Sequence, residues 1–388
     1  MQYKKLGKSG IDVSALGFGC MRFPTFIKGY ENVPPPERPI KEEETEKMLL
    51  HAVENGITYF DTAYIYHEGR SEEILGRVLK PYRDKVLIAT KLPTMMVREP
   101  SDIERFIDEQ LKRLDTDYVD FYLLHALDAH TWPMMKKYRA MDFLEKLVSD
   151  GRVRHTGFSF HDEVNMFKEI VDSYDWTLCQ IQYNYYDENH QAGREGLQYA
   201  ASKGMGVVIM EPLRGGSLID KIPPSVQEIF DSAKTKRTPA EWGLKWLFNQ
   251  PEISLVLSGM SAMPHLVENL KIAEDARPDS LSEEELSLIS KAQKKLEELF
   301  KVHCTGCGYC IPCLNGVNIP MNLSVYNDYF LFDDHRHTLM VYNRMIPEGN
   351  RAFNCVECGE CEEKCPQKVE IMNELKNVHS LLGREGKL

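Results

Sequence analysis

Val86-Leu87-Ile88-Ala89-Thr90-Lys91 and Tyr118-Val119-Asp120-Phe121-Tyr122-Leu123-Leu124-His125 are two short β-rich runs, separated by the helical pattern of Asp102–Leu114. Together they read as strand, helix, strand. The same unit recurs on both sides. Earlier strands are expected at Ala15–Gly19 and Thr58–Asp61, later ones at Arg154–Ser159, Leu178–Tyr183, Val207–Glu211 and Leu255–Ser258. Helical patterns lie between them, at Glu42–Glu54, Phe143–Ser149, Ala240–Phe248 and Pro264–Glu274. Eight alternations over this length predict an α/β fold of closed parallel type, a (β/α)8 TIM barrel. A doubly wound sheet alternates similarly but opens on a glycine-rich phosphate loop, and Leu16-Gly17-Phe18-Gly19-Cys20-Met21 does not fit that pattern. Residues 1–13 read as a hairpin capping the barrel floor. Pro34-Pro35-Pro36 interrupts the segment after the first strand, where a lid or a plain linker fits equally.

The 388 residues suit a barrel with an extension, and 43% hydrophobic content supplies a core. A net charge of −12 argues against a nucleic-acid partner. No run approaches the apolar length of a membrane span. The start, Met1-Gln2-Tyr3-Lys4-Lys5, lacks the apolar stretch of a signal peptide. Eight of the ten cysteines fall in two tight runs near the end, which points to a metal in a reducing compartment and to a cytoplasmic location.

Those runs are Cys304-x2-Cys307-x2-Cys310-x2-Cys313 and Cys355-x2-Cys358-x2-Cys361-x3-Cys365-Pro366. Thiolates two residues apart can take three corners of a cubane, and a remote fourth cysteine before proline closes the other cluster in two-cluster ferredoxins. The crossing predicts Cys304, Cys307, Cys310 and Cys365 around one [4Fe–4S] cluster, and Cys355, Cys358, Cys361 and Cys313 around a second. A pair of four-cysteine zinc sites is the plainer alternative, but zinc rarely uses three successive CxxC steps. The segment resembles the α-helical ferredoxin domains, with Leu314–Asn354 as the helical insert and helices expected at Leu323–Phe332 and Leu339–Met345. Leu314 stands where that pattern usually has proline. The division expected is a barrel over residues 1–299, closed by a helix from Ser282 to about Leu299, and a small all-α ferredoxin-like domain over 300–388.

In the barrel, Asp61, Lys91 and His125 end three consecutive expected strands, and Tyr66 follows the first of them. Strand ends share one mouth in such a fold. This is the Asp–Tyr–Lys–His constellation of the aldo-keto reductase family, which the first 275 residues or so closely resemble. Phe60-Asp61-Thr62-Ala63-x-x-Tyr66, Gly69-Arg70-Ser71-Glu72-Glu73-Ile74-Leu75-Gly76, Gly157-Phe158-Ser159, Gln180-Ile181-Gln182-Tyr183-Asn184 and Glu268-Asn269-Leu270 carry the likeness. The resemblance implies an oxidoreductase acting on a small-molecule carbonyl. Tyr66 would be the general acid, helped by the Lys91 ammonium; Asp61 would hold Lys91, and His125 would orient the substrate. It also implies NAD(P)H, with Gly19, Met21, Ser159, Gln180, Met210, Leu213, Arg214, Ser258, Gly259, His265 and Asn269 as candidate cofactor contacts.

Two departures bear on the cofactor. Met210 takes the place of an aromatic residue that commonly stacks on the nicotinamide, and Leu257–His265 contains no Lys or Arg for a 2′-phosphate. Arg214-Gly215-Gly216 and Ser258-Gly259 keep phosphate-sized features, although Arg214 can also be read as a solvated loop charge. Nicotinamides move two electrons as hydride, whereas each cluster normally passes one, and a flavin can connect the two. Three readings follow: an NAD(P)H-dependent carbonyl reductase whose clusters are structural or serve a redox partner protein; a cluster-fed reductase with a flavin; and an electron-transfer subunit with a non-catalytic barrel. The intact tetrad speaks against the third. Phe26, Tyr30, Tyr64, Trp132 and Phe160 are candidate pocket linings, and Cys20 and Cys179 read as core or pocket lining.

Overall fold

Short apolar runs between amphipathic helices close on themselves. A computed structural model describes residues 1–27, 38–220, 222–332 and 335–383, without the side chain of His337. Pro34-Pro35-Pro36 and Tyr30 lie outside the described residues. Two short strands, β1 (Tyr3–Lys5) and β2 (Asp12–Ser14), pair antiparallel as the expected hairpin. Eight strands then form a closed parallel barrel in chain order: β3 (Leu16–Gly19), β4 (Tyr59–Asp61), β5 (Leu87–Leu92), β6 (Val119–Leu127), β7 (Val153–Phe160), β8 (Leu178–Gln182), β9 (Gly206–Met210) and β10 (Leu255–Ser258). Strand β10 pairs with both β9 and β3 and completes the ring.

The hairpin closes the floor. Leu6 and Val13 are buried in one cluster with Tyr59, Phe121, Leu178, Val208 and Leu255. Gly206 permits this approach, because a Cβ there would fall 2.5 Å from the Leu6 side chain. Outside the ring, helices bury one stripe each: helix Ser101–Arg113 buries Ile103, Phe106, Ile107, Gln110 and Leu111, a 3.6-residue repeat. Gly76, in helix Arg70–Leu79, has no room for a side chain, since a Cβ would lie 2.3 Å from the Leu114 carbonyl oxygen.

The chain forms two compact units. The first holds the hairpin and the barrel strands; the second gathers Leu213–Ala240 with the chain from Glu283 onward. In the second, helix Glu283–Leu299 packs on Pro224–Asp231, and Lys234 bridges Glu284 at 2.7 Å. Helices Ile319–Leu331, His335–Met340 and Ile371–Leu382 follow, with a π turn at Val341–Met345. Val302, Ile319, Leu323, Tyr342, Ile346, Ile371, Leu375, Val378 and Leu382 are buried together as this unit's core. Helix Ile319–Leu331 begins four residues before the expected Leu323. Pro320 lies in its first turn, where no backbone N–H is needed, and the Asn318 side chain accepts from Met321 N at 3.3 Å as the cap. Buried Asn327 accepts from the backbone N–H of Lys301 and Val302 and so ties the segment before the first cysteine to this helix.

Candidate active site and cluster cavities

Strand ends position the reactive groups. Asp61 closes β4, Lys91 lies next to last in β5, and His125 sits in β6, beside a register shift between Leu124 and Leu127. Ala126 has φ +54 there, and its N–H donates to Ser159 Oγ at 2.7 Å. Such an irregularity re-aims the side chain at a strand end. Lys91 is fully buried. Its Nζ lies 2.5 Å from Asp61 Oδ1, donates to the Thr62 carbonyl at 2.8 Å, and is 3.5 Å from the Tyr66 hydroxyl. The other Asp61 oxygen accepts from Gln180 Nε2 at 3.0 Å. The Tyr66 and His125 rings meet edge to face at 5.9 Å. All four expected catalytic residues are therefore brought together.

Burial sets the electrostatics. It raises the Asp61 carboxyl above its ordinary value, while the Lys91 charge and the hydrogen bonds from Lys91 and Gln180 oppose this. It drives His125 well below the usual imidazole range, aided by the Lys91 charge and by His161. His125 is thus a neutral imidazole at neutral pH, a hydrogen-bond donor and not a cation.

Behind Lys91 lies a buried polar network. Glu72 Oε1 accepts from Thr90 Oγ1 at 2.6 Å and Gln110 Nε2 at 2.7 Å, and Glu72 Oε2 from Arg113 at 3.2 Å. Gln110 also donates to the Lys91 carbonyl at 3.1 Å, and Arg113 to the Tyr64 carbonyl at 3.1 Å. The lysine strand and the tyrosine loop are held by one carboxylate. Removing one member leaves buried partners unsatisfied, at about 1–3 kcal/mol each. Glu72→Leu should therefore lower the melting temperature by several degrees and also reduce turnover, whereas Glu73→Leu, on the exposed side, should do neither. Paired melting curves and rates check this.

The loop itself is strained. His67 and Glu68 have φ +49 and +56, a left-handed conformation uncommon outside glycine. His67 stacks on Phe23 with ring centroids 5.7 Å apart, and Phe23 N donates to its Nε2 at 3.3 Å. Burial lowers its pKa to about 4, with a hydrogen bond to the Met21 backbone partly opposing. The unfolded chain therefore binds a proton near pH 6.5 that the folded chain refuses until about 4. The resulting stability is present above pH 6.5 and is lost as pH falls toward 4, roughly 2 kcal/mol of it between pH 7 and 5. His67→Asn, which tolerates positive φ, should lose less stability over that interval than the wild type, measured by denaturant unfolding at the two pH values.

In the second unit the eight clustered cysteines divide between two cavities. Cys304, Cys307, Cys310 and Cys365 line one. Cys313, Cys355, Cys358 and Cys361 line the other, which Cys310 lines as well. This grouping is the expected crossing. Four thiols around each cavity are the ligand number of a cubane. Cys20 and Cys179 are buried in the barrel.

Comparison with known proteins matches residues 15–294 to the Aldo/keto reductase family and residues 303–370 to the 4Fe-4S dicluster domain. The chain belongs to the aldo/keto reductase family. This reductase is 27% identical over 332 residues to the uncharacterized oxidoreductase YqkF of Bacillus subtilis, across 78% of this chain and 99% of that one. It is 26% identical over 319 residues to L-galactose dehydrogenase of Arabidopsis thaliana, across 77% and 96%. Among solved structures, aldo-keto reductase AKR11C1 from Bacillus halodurans in its holo form aligns with a TM-score of 0.62 at 25% identity, over 75% of this chain and 96% of that one. The thermostable aldo-keto reductase Tm1743 aligns with a TM-score of 0.61 at 30% identity, over 75% and 100%. The protein is an oxidoreductase with a C-terminal 4Fe-4S dicluster domain.

Within this aldo/keto reductase the expected cofactor residues fall into groups. Gly19 and Ser258 approach closely, because a Cβ on Gly19 would lie 3.3 Å from the Ser258 carbonyl oxygen. Ser258 Oγ accepts from Asn269 Nδ2 at 3.0 Å. Ser159 and Gln180 are buried on adjacent strands and bonded to Ala126 and Asp61 as described. Met210 ends β9 and is partly exposed, Met21 is partly exposed, and His265 is exposed. Leu213 and Arg214 belong to the second unit, where Arg214 is 1% exposed and its guanidinium lies over the Phe300 ring at 4.6 Å. It is not a solvated loop charge. Trp132 and Phe160 are packed core residues and not pocket linings: Trp132 Nε1 donates to Glu169, and Phe160 packs on Phe167. Sequence reasoning missed Arg22. It lies against Gly259, where a Cβ would meet its Cδ at 3.4 Å, and 3.9 Å from Glu211. The cation missing from Leu257–His265 reaches that loop from the segment after β3, which no spacing rule signals.

Proposed function

We propose that this oxidoreductase reduces a small carbonyl compound, with Tyr66 as the proton donor and NAD(P)H as the hydride source. The observation that carries the reading is the buried Lys91 ammonium, 2.5 Å from Asp61 and 3.5 Å from the Tyr66 hydroxyl. A free tyrosine, with a pKa near ~10, gives up its proton slowly at neutral pH. The Lys91 charge stabilises the negative charge that develops on the Tyr66 oxygen as the proton leaves. Asp61 holds that ammonium in place and compensates its burial. Neutral His125 donates a hydrogen bond to the carbonyl oxygen and presents it to Tyr66.

A nicotinamide, when bound, supplies the hydride. Ser159, Gln180, Ser258, Gly259 and Asn269 would hold it, with Arg22 beside Gly259 as the cation for a phosphate. Arg22 supplies beside Gly259 the cation that Leu257–His265 itself lacks. The test is the loss of nicotinamide absorbance on adding a panel of aldehydes and ketones. Lys91→Met should slow it by about 10²-fold or more and change its pH profile. Activity unchanged by that substitution would count against the mechanism.

The cysteines of the two cavities would each hold a [4Fe–4S] cluster, which passes single electrons. The expected content is about eight irons and about eight acid-labile sulfides per chain. Stoichiometric zinc without sulfide would rule the clusters out.

A further inference from the structure

The two most exposed large apolar side chains among the described residues are Leu314, at 73%, and Val356, at 62%, and both line the same cavity. They follow directly on Cys313 and Cys355, one in each cysteine run. Asn315 Nδ2 donates to the Asn354 carbonyl at 3.1 Å and ties the two runs together beside them. Cys358 is exposed in this cavity, whereas Cys365 in the other is only 9% exposed. The cavity lined by Cys358 is thus the one with an exposed cysteine and an apolar collar, whereas the cysteines of the other are buried or half-buried.

The collar has a charged fringe. Val356–Glu363 carries Glu357, Glu360, Glu362 and Glu363 and no Lys or Arg. Lys376 bridges Glu357 at 2.7 Å and Lys364 bridges Glu360 at 3.5 Å, while Glu363 is exposed. Four thiolate ligands add net negative charge to a cubane in either of its usual states. An apolar patch at an exposed redox site, fringed by four glutamates against the two lysines Lys364 and Lys376, carries a net negative charge and suits a brief encounter with a basic surface.

We propose that this collar is the docking port of a one-electron carrier protein with a basic patch around its own redox group, and that electrons cross at the cavity lined by Cys313, Cys355, Cys358 and Cys361. The inference rests on the reading of that cavity as a cluster site. One electron leaves the reduced site and one carrier molecule is reduced by one electron; no bond forms or breaks, and no proton moves.

The test uses the full chain, purified anaerobically, reduced with dithionite and desalted. Cytochrome c is the probe, as a basic carrier protein with an exposed haem edge, and ferricyanide is the small-molecule control. Stopped-flow absorbance follows reoxidation. Two variants are compared: Leu314→Ser with Val356→Ser, and Glu360→Lys with Glu363→Lys. Each should slow oxidation by cytochrome c about tenfold at low salt, and high salt should slow the wild type by a similar factor. Ferricyanide should oxidise the serine variant at the wild-type rate. Iron, sulfide and the electron paramagnetic resonance spectrum should be unchanged in both. Clusters present and cytochrome c as fast on both variants as on wild type would overturn the port alone. A wild-type dimer that the serine variant splits into monomers would assign the collar to a second copy and overturn it too. A wild-type chain without labile sulfide would overturn the cluster reading itself, and the port with it.

Discussion

Tyr66→Phe should lower the rate of carbonyl reduction by about 10²–10⁴-fold while leaving nicotinamide binding intact, because only the proton donor is removed. The side chain is partly exposed, and its hydroxyl lies at the long end of hydrogen-bonding range from Lys91, 3.5 Å. Removing one oxygen there opens no core cavity, so stability should change by less than about 1 kcal/mol. The loss should fall on kcat and kcat/KM together, as expected for a group that acts only as charge develops. Steady-state rates on a confirmed substrate, a cofactor titration by fluorescence quenching and a melting curve separate the three effects. Wild-type turnover in the variant would remove Tyr66 as the acid. Lys91→Met should do comparable damage to the rate and cost stability too, since it leaves Asp61 as a buried carboxylate without its cation.

Cys365→Ser should remove one cluster and unsettle the domain around it. Cys365 is buried within the core of the second unit, and it alone joins the Cys304–Cys310 run from the far end of the sequence. Its loss should halve the iron, to about four per chain. It should also lower the melting temperature of the C-terminal transition by at least about 10 °C, because metal binding and folding are coupled in such segments. Cys358→Ser should also cost one cluster, but with a smaller drop, since Cys358 sits at the surface. Iron analysis and calorimetry under anaerobic conditions read both. Equal iron in wild type and Cys365→Ser would show that Cys365 is not a ligand.

The barrel was legible because each strand is a short apolar run with a helical stripe after it, a pattern that survives without knowledge of contacts. The tetrad was legible because Asp61, Lys91 and His125 fall at equivalent places in successive units, and a closed barrel turns equivalent places into neighbours. The cavity partners of the cysteines followed from their spacing read against the crossed pattern of two-cluster ferredoxins. What stayed hidden depends on tertiary packing. Trp132 reads as a pocket aromatic but is buried by its own helix against Glu169. Arg214 reads as a phosphate contact, or else a loop charge, but lies buried over Phe300, far away in sequence. Arg22 reaches the Gly259 loop only because β3 and β10 are adjacent in the closed ring. The left-handed backbone at His67 and Glu68 is invisible in their side-chain types.

The network of Glu72 and Arg113, and the Gly76–Leu114 contact beside it, divide the tyrosine's surroundings into fixed and free parts. The loop that carries Tyr66 is held by helix Ser101–Arg113 through Arg113, which bonds the Tyr64 carbonyl and Glu72. Any side chain at position 76 would strike backbone, which has no rotamer into which to retreat. For anyone wishing to retune what this enzyme accepts, these two outer helices are therefore poor ground for diversification. Met95 and Met96, exposed in the loop after β5, are the better ground. A library there leaves the scaffold that holds Tyr66 to Lys91 untouched, so its losses would be losses of fit and not of chemistry.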